Sequence, residues 1–323
     1  MADYTIGELK NKVLNGGALS KAELLFLVGA DLEGLSQAAN EIREYFTGNK
    51  FELCSIISGK GGACPEDCKF CSQGTCNKNK ASVKVFPLRK TEDILEDAKR
   101  HGELGIPRYC IVSSGKALSE KEVDYACETI KRIKAEVDVH LCTSFGLLSE
   151  EQFKKLKDAG VERIHNNLET SERYFKEVCT THTYEQKKET IARAKKAGLE
   201  ICCGGIIGIG ESFEDRIDMA LAIGELDVQS VPINILNPVK GTPMENMPVL
   251  SEEEVRRTIA IYRFALPKKF IRLAAGRDYL PDKGKKIFQS GCNATITGEM
   301  LTVGGVNYKS DFEMLQEIGA VCE

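Results

Sequence analysis

The chain has 323 residues, 42% of them hydrophobic and 28% charged, with a net charge of −4. That composition suits a globular enzyme built as one large α/β domain or two small ones. The acidic balance, with no basic stripe interleaved with aromatics, argues against a nucleic-acid partner, and no apolar run is long enough to span a membrane.

In chain order, Met1-Ala2-Asp3-Tyr4 leads straight into polar helix, so no secretory leader is expected. Residues up to Phe46 read as helices broken at Asn15-Gly16-Gly17 and Gly29-Ala30-Asp31. Strands and helices then alternate. Phe51–Ile57 is an apolar strand that runs into a glycine- and cysteine-rich loop. Thr91–Leu104 has helical periodicity, with Leu95, Ala98 and Leu104 apolar. Strand Arg108–Ser113 precedes helix Ser119–Ala135, which opens on a Ser cap with Glu122 three residues on. Strand Val137–Thr143 precedes helix Ser149–Ala159, and strand Arg163–Leu168 precedes helix Tyr184–Ala197, stopped by Gly198. The remaining pairs are Leu199–Ile207 with Phe213–Leu226, Val228–Leu236 with Ser251–Ala265, Phe270–Ala275 with Asp282–Phe288, and Ala294–Thr297 with Phe312–Ile318.

Eight short apolar strands, each followed by a helix, predict a parallel sheet. Eight repeats point to a closed (β/α)8 TIM barrel over 47–323 behind an N-terminal helical extension over 1–46, with a doubly wound open sheet as the alternative. A barrel places its chemistry at the C-terminal ends of the strands. The cysteine loop sits there, directly after the first strand.

That loop reads Ser58-Gly-Lys-Gly-Gly-Ala-Cys64-Pro-Glu-Asp-Cys68-Lys-Phe-Cys71. Clusters normally take four cysteine ligands. A tight C-x3-C-x2-C set of three leaves one iron of a [4Fe–4S] cubane open to a small molecule. With the aromatic Phe70 before the last cysteine, the loop fits the radical S-adenosylmethionine (SAM) signature. Zinc is the competing reading, but it favours paired CxxC or HxxxH spacings. Cys76 would have to complete such a site across Gln73-Gly74-Thr75, which reads as a solvated turn. Thirteen cysteines is an odd and scattered set. A disulfide framework explains it poorly, and metal–sulfur chemistry in a reducing cytoplasm explains it better.

More thiols lie inside strands. Cys110, Cys142 and Cys202 fall in strands two, three and five, and Arg272 in strand seven. Alternate residues of a barrel strand point inward, so these four side chains can meet in the barrel. Each cysteine alone reads more readily as a small buried hydrophobe. An arginine in a core strand needs an anion or a metal centre. The polar strand end His165-Asn166-Asn167-Leu168-Glu169 suits a ribose and a polar substrate head, or else a helix cap. Gly204–Glu211 lacks a dinucleotide frame and reads as backbone approaching a nucleoside or a methionine. Asn234 places another amide at a strand end. The four histidines, His101, His140, His165 and His182, share no metal spacing.

Taken together, Cys64–Gln73, Tyr109–Gly115, Asn166–Ser171, Thr180–Tyr184, Cys202–Glu211, Val231–Pro243 and Ile271–Asp278 resemble the biotin synthase family, from about Gly48 to the C-terminus. The resemblance implies a radical SAM TIM barrel that converts dethiobiotin to biotin. It implies that Cys64, Cys68 and Cys71 hold a [4Fe–4S] cluster that cleaves SAM to a 5′-deoxyadenosyl radical. That radical removes hydrogen from two unactivated C–H positions, and sulfur enters between them from an auxiliary cluster held by Cys110, Cys142, Cys202 and Arg272. By the same resemblance SAM lies against Phe70, Asn167, Glu169, His182 and Ile207. Dethiobiotin lies against Asn167, Asn234 and Thr302. A flavodoxin- or ferredoxin-type electron donor and a homodimer are implied as well.

Four departures from the family pattern stand out. Ile164-His165-Asn166-Asn167 replaces Tyr-Asn-His-Asn, Cys202-Cys203-Gly204-Gly205 replaces Cys-Ser-Gly-Gly, Thr302-Val303 replaces Thr-Thr, and Cys292 replaces a small residue. The extra thiols leave the auxiliary cluster open between [2Fe–2S] and something larger, with Cys292 expected near it and Cys203 facing away. Two other readings stand beside this one. One is a maturase or mutase of the same barrel group, which needs no inner set of three cysteines and an arginine. The other is a non-catalytic iron–sulfur carrier, which needs no Asn167, Glu169 or Gly204–Glu211 surface.

Overall fold

A computed structural model describes residues 4–77 and 83–322; Met1–Asp3, expected to lead into the first helix, lie outside them. Ten strands form one all-parallel sheet: β1 (Lys50–Lys60), β2 (Arg108–Ser113), β3 (His140–Ser144), β4 (Arg163–His165), β5 (Glu200–Cys202), β6 (Gly205–Ile207), β7 (Ser230–Ile235), β8 (Phe270–Leu273), β9 (Ala294–Ile296) and β10 (Val321–Cys322). Pairing runs from β1 through β9, and β9 pairs back onto β1. The sheet therefore closes, with β5 and β6 sharing one barrel position and β10 added at the start of β1. This is the expected TIM barrel rather than the open sheet.

The split between β5 and β6 departs from the single strand expected over Leu199–Ile207. Pro232 lies across from Gly204 and has no N–H to give to the ladder. The chain also comes so close to β7 there that a Cβ on Gly204 would sit 1.9 Å from the Pro232 carbonyl oxygen. The Gly204 amide turns instead to the Asn167 side-chain oxygen at 3.0 Å.

The helices are α1 (Ile6–Leu14), α2 (Lys21–Val28), α3 (Leu32–Thr47), α4 (Thr91–Glu103), α5 (Glu120–Glu136), α6 (Glu150–Ala159), α7 (Glu172–Val178), α8 (Tyr184–Lys196), α9 (Phe213–Glu225), α10 (Glu252–Ala265), α11 (Lys285–Phe288) and α12 (Tyr308–Glu317). Sequence sets their starts. Ser119 with Glu122, Ser149 with Gln152, Thr183 with Gln186 and Ser212 with Asp215 all form reciprocal capping boxes. Helix α7 was not foreseen; Ser171 caps it by accepting from the Tyr174 amide. Helix α12 begins four residues before the expected Phe312, at the Asn307 cap.

The main apolar core lies between barrel and helices, where outward strand residues such as Ile111, Leu141, Ile201, Ile233 and Ile271 meet helix residues such as Ile130, Leu156, Ile191 and Ile259. Helices α1 to α3 form a second apolar layer, with Leu24, Leu35 and Ile42 packed on Ile217, Ile261 and Phe264 of α9 and α10. Arg256 of α10 fastens that layer through a bidentate pair to Glu33 at 2.8 and 3.0 Å. Among the described residues no helix is long and apolar enough to cross a membrane.

Candidate active site

Two cavities open at the C-terminal side of the barrel, and Val112 at the end of β2 lines both. The upper one, about 230 Å³, is lined by Cys64, Cys68 and Cys71 together with Glu66, Phe70, Ser114, Glu169, His182 and Lys187. The loop after β1 is fixed by its own backbone. Cys64 donates to the Gln73 carbonyl at 3.1 Å, Thr75 donates to Cys64 at 2.7 Å, and Cys71 donates to Cys68 at 3.0 Å. Phe86 crosses beside Gly61, where a Cβ would lie 2.3 Å from its ring. The loop therefore requires glycine there. Phe70 packs into an apolar group with Ile206, Ile209, Leu236 and Met244.

The acids of Pro65-Glu66-Asp67 tie this loop to the segment after α7. Asp67 accepts the Thr180 and Thr181 amides at 2.9 and 3.2 Å. Burial opposes its charge, but the hydrogen bond from the Thr180 hydroxyl, together with these amides and the Cys179 thiol, holds its carboxyl well below the ordinary carboxylate range. Glu66 bonds to the His182 ring. Cys179, unnoticed in the sequence, places its sulfur 3.7 Å from Cys68 and 3.3 Å from His182 Nδ1. The hydrogen bond from the Cys68 thiol pushes the Cys179 pKa down and that of Cys68 up.

The lower cavity, about 210 Å³, lies inside the barrel and is lined by Cys54, Cys110, Cys142, Cys202, Arg108, Arg163 and Arg272, among others. Strand register accounts for the convergence. Cys110 pairs with Cys142 across β2 and β3, Cys142 with Arg163 across β3 and β4, and Cys54 with Arg108 across β1 and β2. Cys54, Cys110 and Cys142 touch one another. Sequence reading found three of these four cysteines and missed Cys54. The signal was present: Glu52, Cys54 and Ile56 alternate along the first strand as the inner residues of the other strands do. Cys142 is drawn toward its thiolate by the hydrogen bond from Cys110, and Arg108 and Arg163 assist against burial.

Glu52 lies among three guanidiniums. Its carboxylate takes Arg163 Nη1 at 2.7 and 3.0 Å, Arg108 Nε at 3.0 Å, and an Arg272 amino group. Arg272 also donates to the Thr295 carbonyl at 2.7 Å. The side chains of Glu52, Arg163 and Arg272 are exposed by 6% or less.

After β4, Asn167 accepts from the first residue of the glycine pair, and its amide also donates to Glu169 at 3.2 Å. Glu169 has φ of +71°, a conformation that costs a non-glycine residue of order 1 kcal/mol and that clusters at functional sites. Its carbonyl accepts the Ile206 amide at 2.8 Å, and a Cβ on Gly205 would lie 2.4 Å from that oxygen. Asn166 accepts from Lys187 at 3.2 Å, while its own buried amide nitrogen has no protein partner. Asn234 donates to the Gly205 carbonyl at 3.1 Å and, with Thr302, lines the lower cavity.

Three expected residues line neither cavity, and Asn167, turned to Gly204 and Glu169, is the first of them. Ile207 points outward into the main core, because alternation along β6 turns Ile206 and not Ile207 toward Phe70. Cys292 precedes β9 at the barrel floor. Its thiol donates to the Ile271 and Ala294 carbonyls at 3.1 and 3.4 Å, and it lines a separate recess with Arg43 and Phe51. The position is too early in its strand to reach the other thiols. Cys203 is packed in the outer apolar core, opposite in sense to Cys202.

The donor sets suit iron–sulfur clusters. One loop offers three part-buried thiols beside an open cavity. The barrel offers four buried thiols among guanidiniums that match an anionic centre. Cys76 is exposed and does not line the loop cavity, so it adds no fourth donor there.

Comparison with known proteins accords with this geometry. The Radical SAM superfamily model matches residues 60–223, and the Biotin and Thiamin Synthesis associated domain matches 232–321. The chain is 50% identical over 310 residues to a biotin synthase of Clostridium botulinum (strain Loch Maree), covering 96% of this chain and 97% of the relative. It is 49% identical over 311 residues to that of Akkermansia muciniphila, covering 96% of each. Among solved structures, methylornithine synthase superposes with a TM-score of 0.85 over 98% of this chain and 97% of that one, at 20% identity. The FeFe-hydrogenase maturase HydG from Carboxydothermus hydrogenoformans gives 0.83 over 98% and 79%, at 19% identity. These two likenesses show the fold.

Proposed function

The chain belongs to the biotin synthase family, radical SAM enzymes that insert sulfur into dethiobiotin to make biotin, and on that premise we propose how its two cavities divide the work. Cys64, Cys68 and Cys71 are the ligands of the [4Fe–4S] cluster, and Cys110, Cys142, Cys202 and Cys54 those of the auxiliary cluster. When bound, the first cluster supplies the electron that cleaves SAM and the second supplies the sulfur. Arg272 is engaged with Glu52 and Thr295, which favours a counter-charge role beside the auxiliary centre over direct ligation. Four thiolates in one cavity provide a full cysteine set for either a [2Fe–2S] or a [4Fe–4S] cluster.

Phe70, Glu169 and His182 orient SAM in the loop cavity. Asn167 bridges toward the substrate. Asn234 and Thr302 hold the ureido ring and the carboxylate tail of dethiobiotin at the barrel mouth. The apolar wall shared at Val112 keeps water from the reacting C–H groups. The family likeness is what supports a flavodoxin- or ferredoxin-type electron donor and a homodimer. Thiolate-held clusters favour a reducing compartment, which supports the cytoplasm.

The observation that carries this reading is the convergence of four barrel thiols on a cavity that adjoins the three-cysteine loop. The test is anaerobic reconstitution followed by incubation with SAM, dithionite and dethiobiotin. Iron and sulfide beyond one cubane per chain, with both 5′-deoxyadenosine and biotin formed, is the expected result. 5′-Deoxyadenosine without biotin, at one cubane per chain, overturns the auxiliary assignment.

A further inference from the structure

The lower cavity has more guanidinium than its protein carboxylates balance. Arg108, Arg163 and Arg272 all line it, and Glu52 is the buried carboxylate they share. Glu200 adds a second carboxylate to Arg163 at 2.9 Å, but its side chain is 49% exposed and stands in solvent. Three guanidiniums on one buried carboxylate leave positive charge in excess. Such an excess inside a barrel is costly unless what fills the cavity is anionic. The inner layers of barrels of this type are filled mostly by branched aliphatics, so the packing of the barrel does not call for arginines here.

Their placement is specific. Arg163 sits in register with Cys142, and Arg108 brings Nη1 to 3.7 Å from the Cys142 sulfur. Glu52 ties the three together and fixes the direction of each planar fork. The cluster would thus rest on fixed charges that need no rearrangement when its own charge changes, which is how neighbouring groups tune a metal centre.

We propose that Arg163, held by Glu52, is a positioning residue that sets the charge beside the auxiliary cluster and raises its reduction potential. The proposal rests on the reading that Cys54, Cys110, Cys142 and Cys202 hold that cluster. A positive charge lost from beside an anionic centre disfavours its reduced, more negative state. Arg163→Gln therefore shifts the auxiliary potential in the negative direction. Arg163→Lys keeps the charge and returns most of the shift. The cluster on Cys64, Cys68 and Cys71, in the other cavity, keeps its potential in both variants.

The experiment is a potentiometric titration of the fully reconstituted enzyme, followed by electron paramagnetic resonance, with iron and sulfide counted on each sample. A negative shift in Arg163→Gln that Lys reverses supports the proposal. Loss of the auxiliary cluster in Arg163→Gln, with retention at the parental potential in Arg163→Lys, also supports it, since charge is then what the site requires. An unchanged potential in Arg163→Gln at parental iron content overturns it. Equal loss of the cluster in both variants overturns it too, because only the shape of arginine would then matter. Iron for a single cubane in the parental enzyme is a different result, and it overturns the underlying auxiliary assignment.

Discussion

Replacing Glu52 with Gln probes the one carboxylate that holds three buried arginines. Burial raises the pKa of this group, but the charges of Arg272, Arg163 and Arg108 outweigh burial and bring it down from 4.5 to about 2. At about 1.36 kcal/mol per pH unit, that difference is worth about 3 kcal/mol of folding free energy at neutral pH. Because the folded pKa is the lower one, the stabilisation is full above the unfolded value near 4.5 and is lost as pH falls toward about 2. Glu52→Gln keeps the shape and removes the charge. At roughly 2 °C per kcal/mol for a chain of this size, Tm of the cluster-free protein should fall by about 6 °C at pH 7. The assay is differential scanning fluorimetry of parent and variant from pH 7 to pH 3. The gap between them should narrow below about pH 4.5, since all other carboxylates titrate in both proteins. A constant gap down to pH 3, or no gap at neutral pH, would refute the charge argument. With the clusters loaded the gap at pH 7 should shrink, because an anionic centre then shares the compensation of the guanidiniums.

Cys68→Ala should prevent stable assembly of the loop cluster and abolish 5′-deoxyadenosine formation, read by liquid chromatography; full SAM cleavage would remove Cys68 from the ligand set. Cys54→Ala should lower auxiliary iron and biotin yield while SAM cleavage persists, and parental iron and Mössbauer spectra in that variant would return Cys54 to a packing role. Cys292→Ala should leave both clusters and turnover unchanged, as its hydrogen bonds to Ile271 and Ala294 indicate; altered auxiliary spectra would contradict its placement. Asp311→Ala should cost about 3–5 kcal/mol by urea unfolding, because Arg277 is left charged and buried once its bidentate partner at 2.7 Å is gone.

What was legible in the sequence follows from which forces act locally. The barrel could be read because each strand carries its own apolar run and each helix its own cap; Ser119 with Glu122 marks α5 without reference to anything distant. The cysteine loop could be read because its three cysteines are neighbours in the chain. Helix α7 was hidden because its seven residues are too few to show a period, and only the Ser171 cap marks it. The interruption between β5 and β6 was hidden because its cause, Pro232, lies on another strand.

The barrel interior was half legible for a related reason. Alternation says which residues of a strand face inward, but not how far along the axis each one lies. Cys110, Cys142 and Cys202 were found because a thiol in an apolar strand is conspicuous. Cys54 was equally conspicuous by that test, and it was lost because the strand was read as a lead into the loop. Cys292 shows the opposite error. It has the right chemistry at the wrong height, near the barrel floor, where Arg43 and Phe51 close the recess beside it. Glu52 was the most informative omission. A carboxylate in an apolar strand must have cationic partners, and alternation limits them to inward arginines of other strands. Arg108, Arg163 and Arg272 are such arginines, so the same rule that brought the cysteines together predicts the guanidiniums that line the cavity with them.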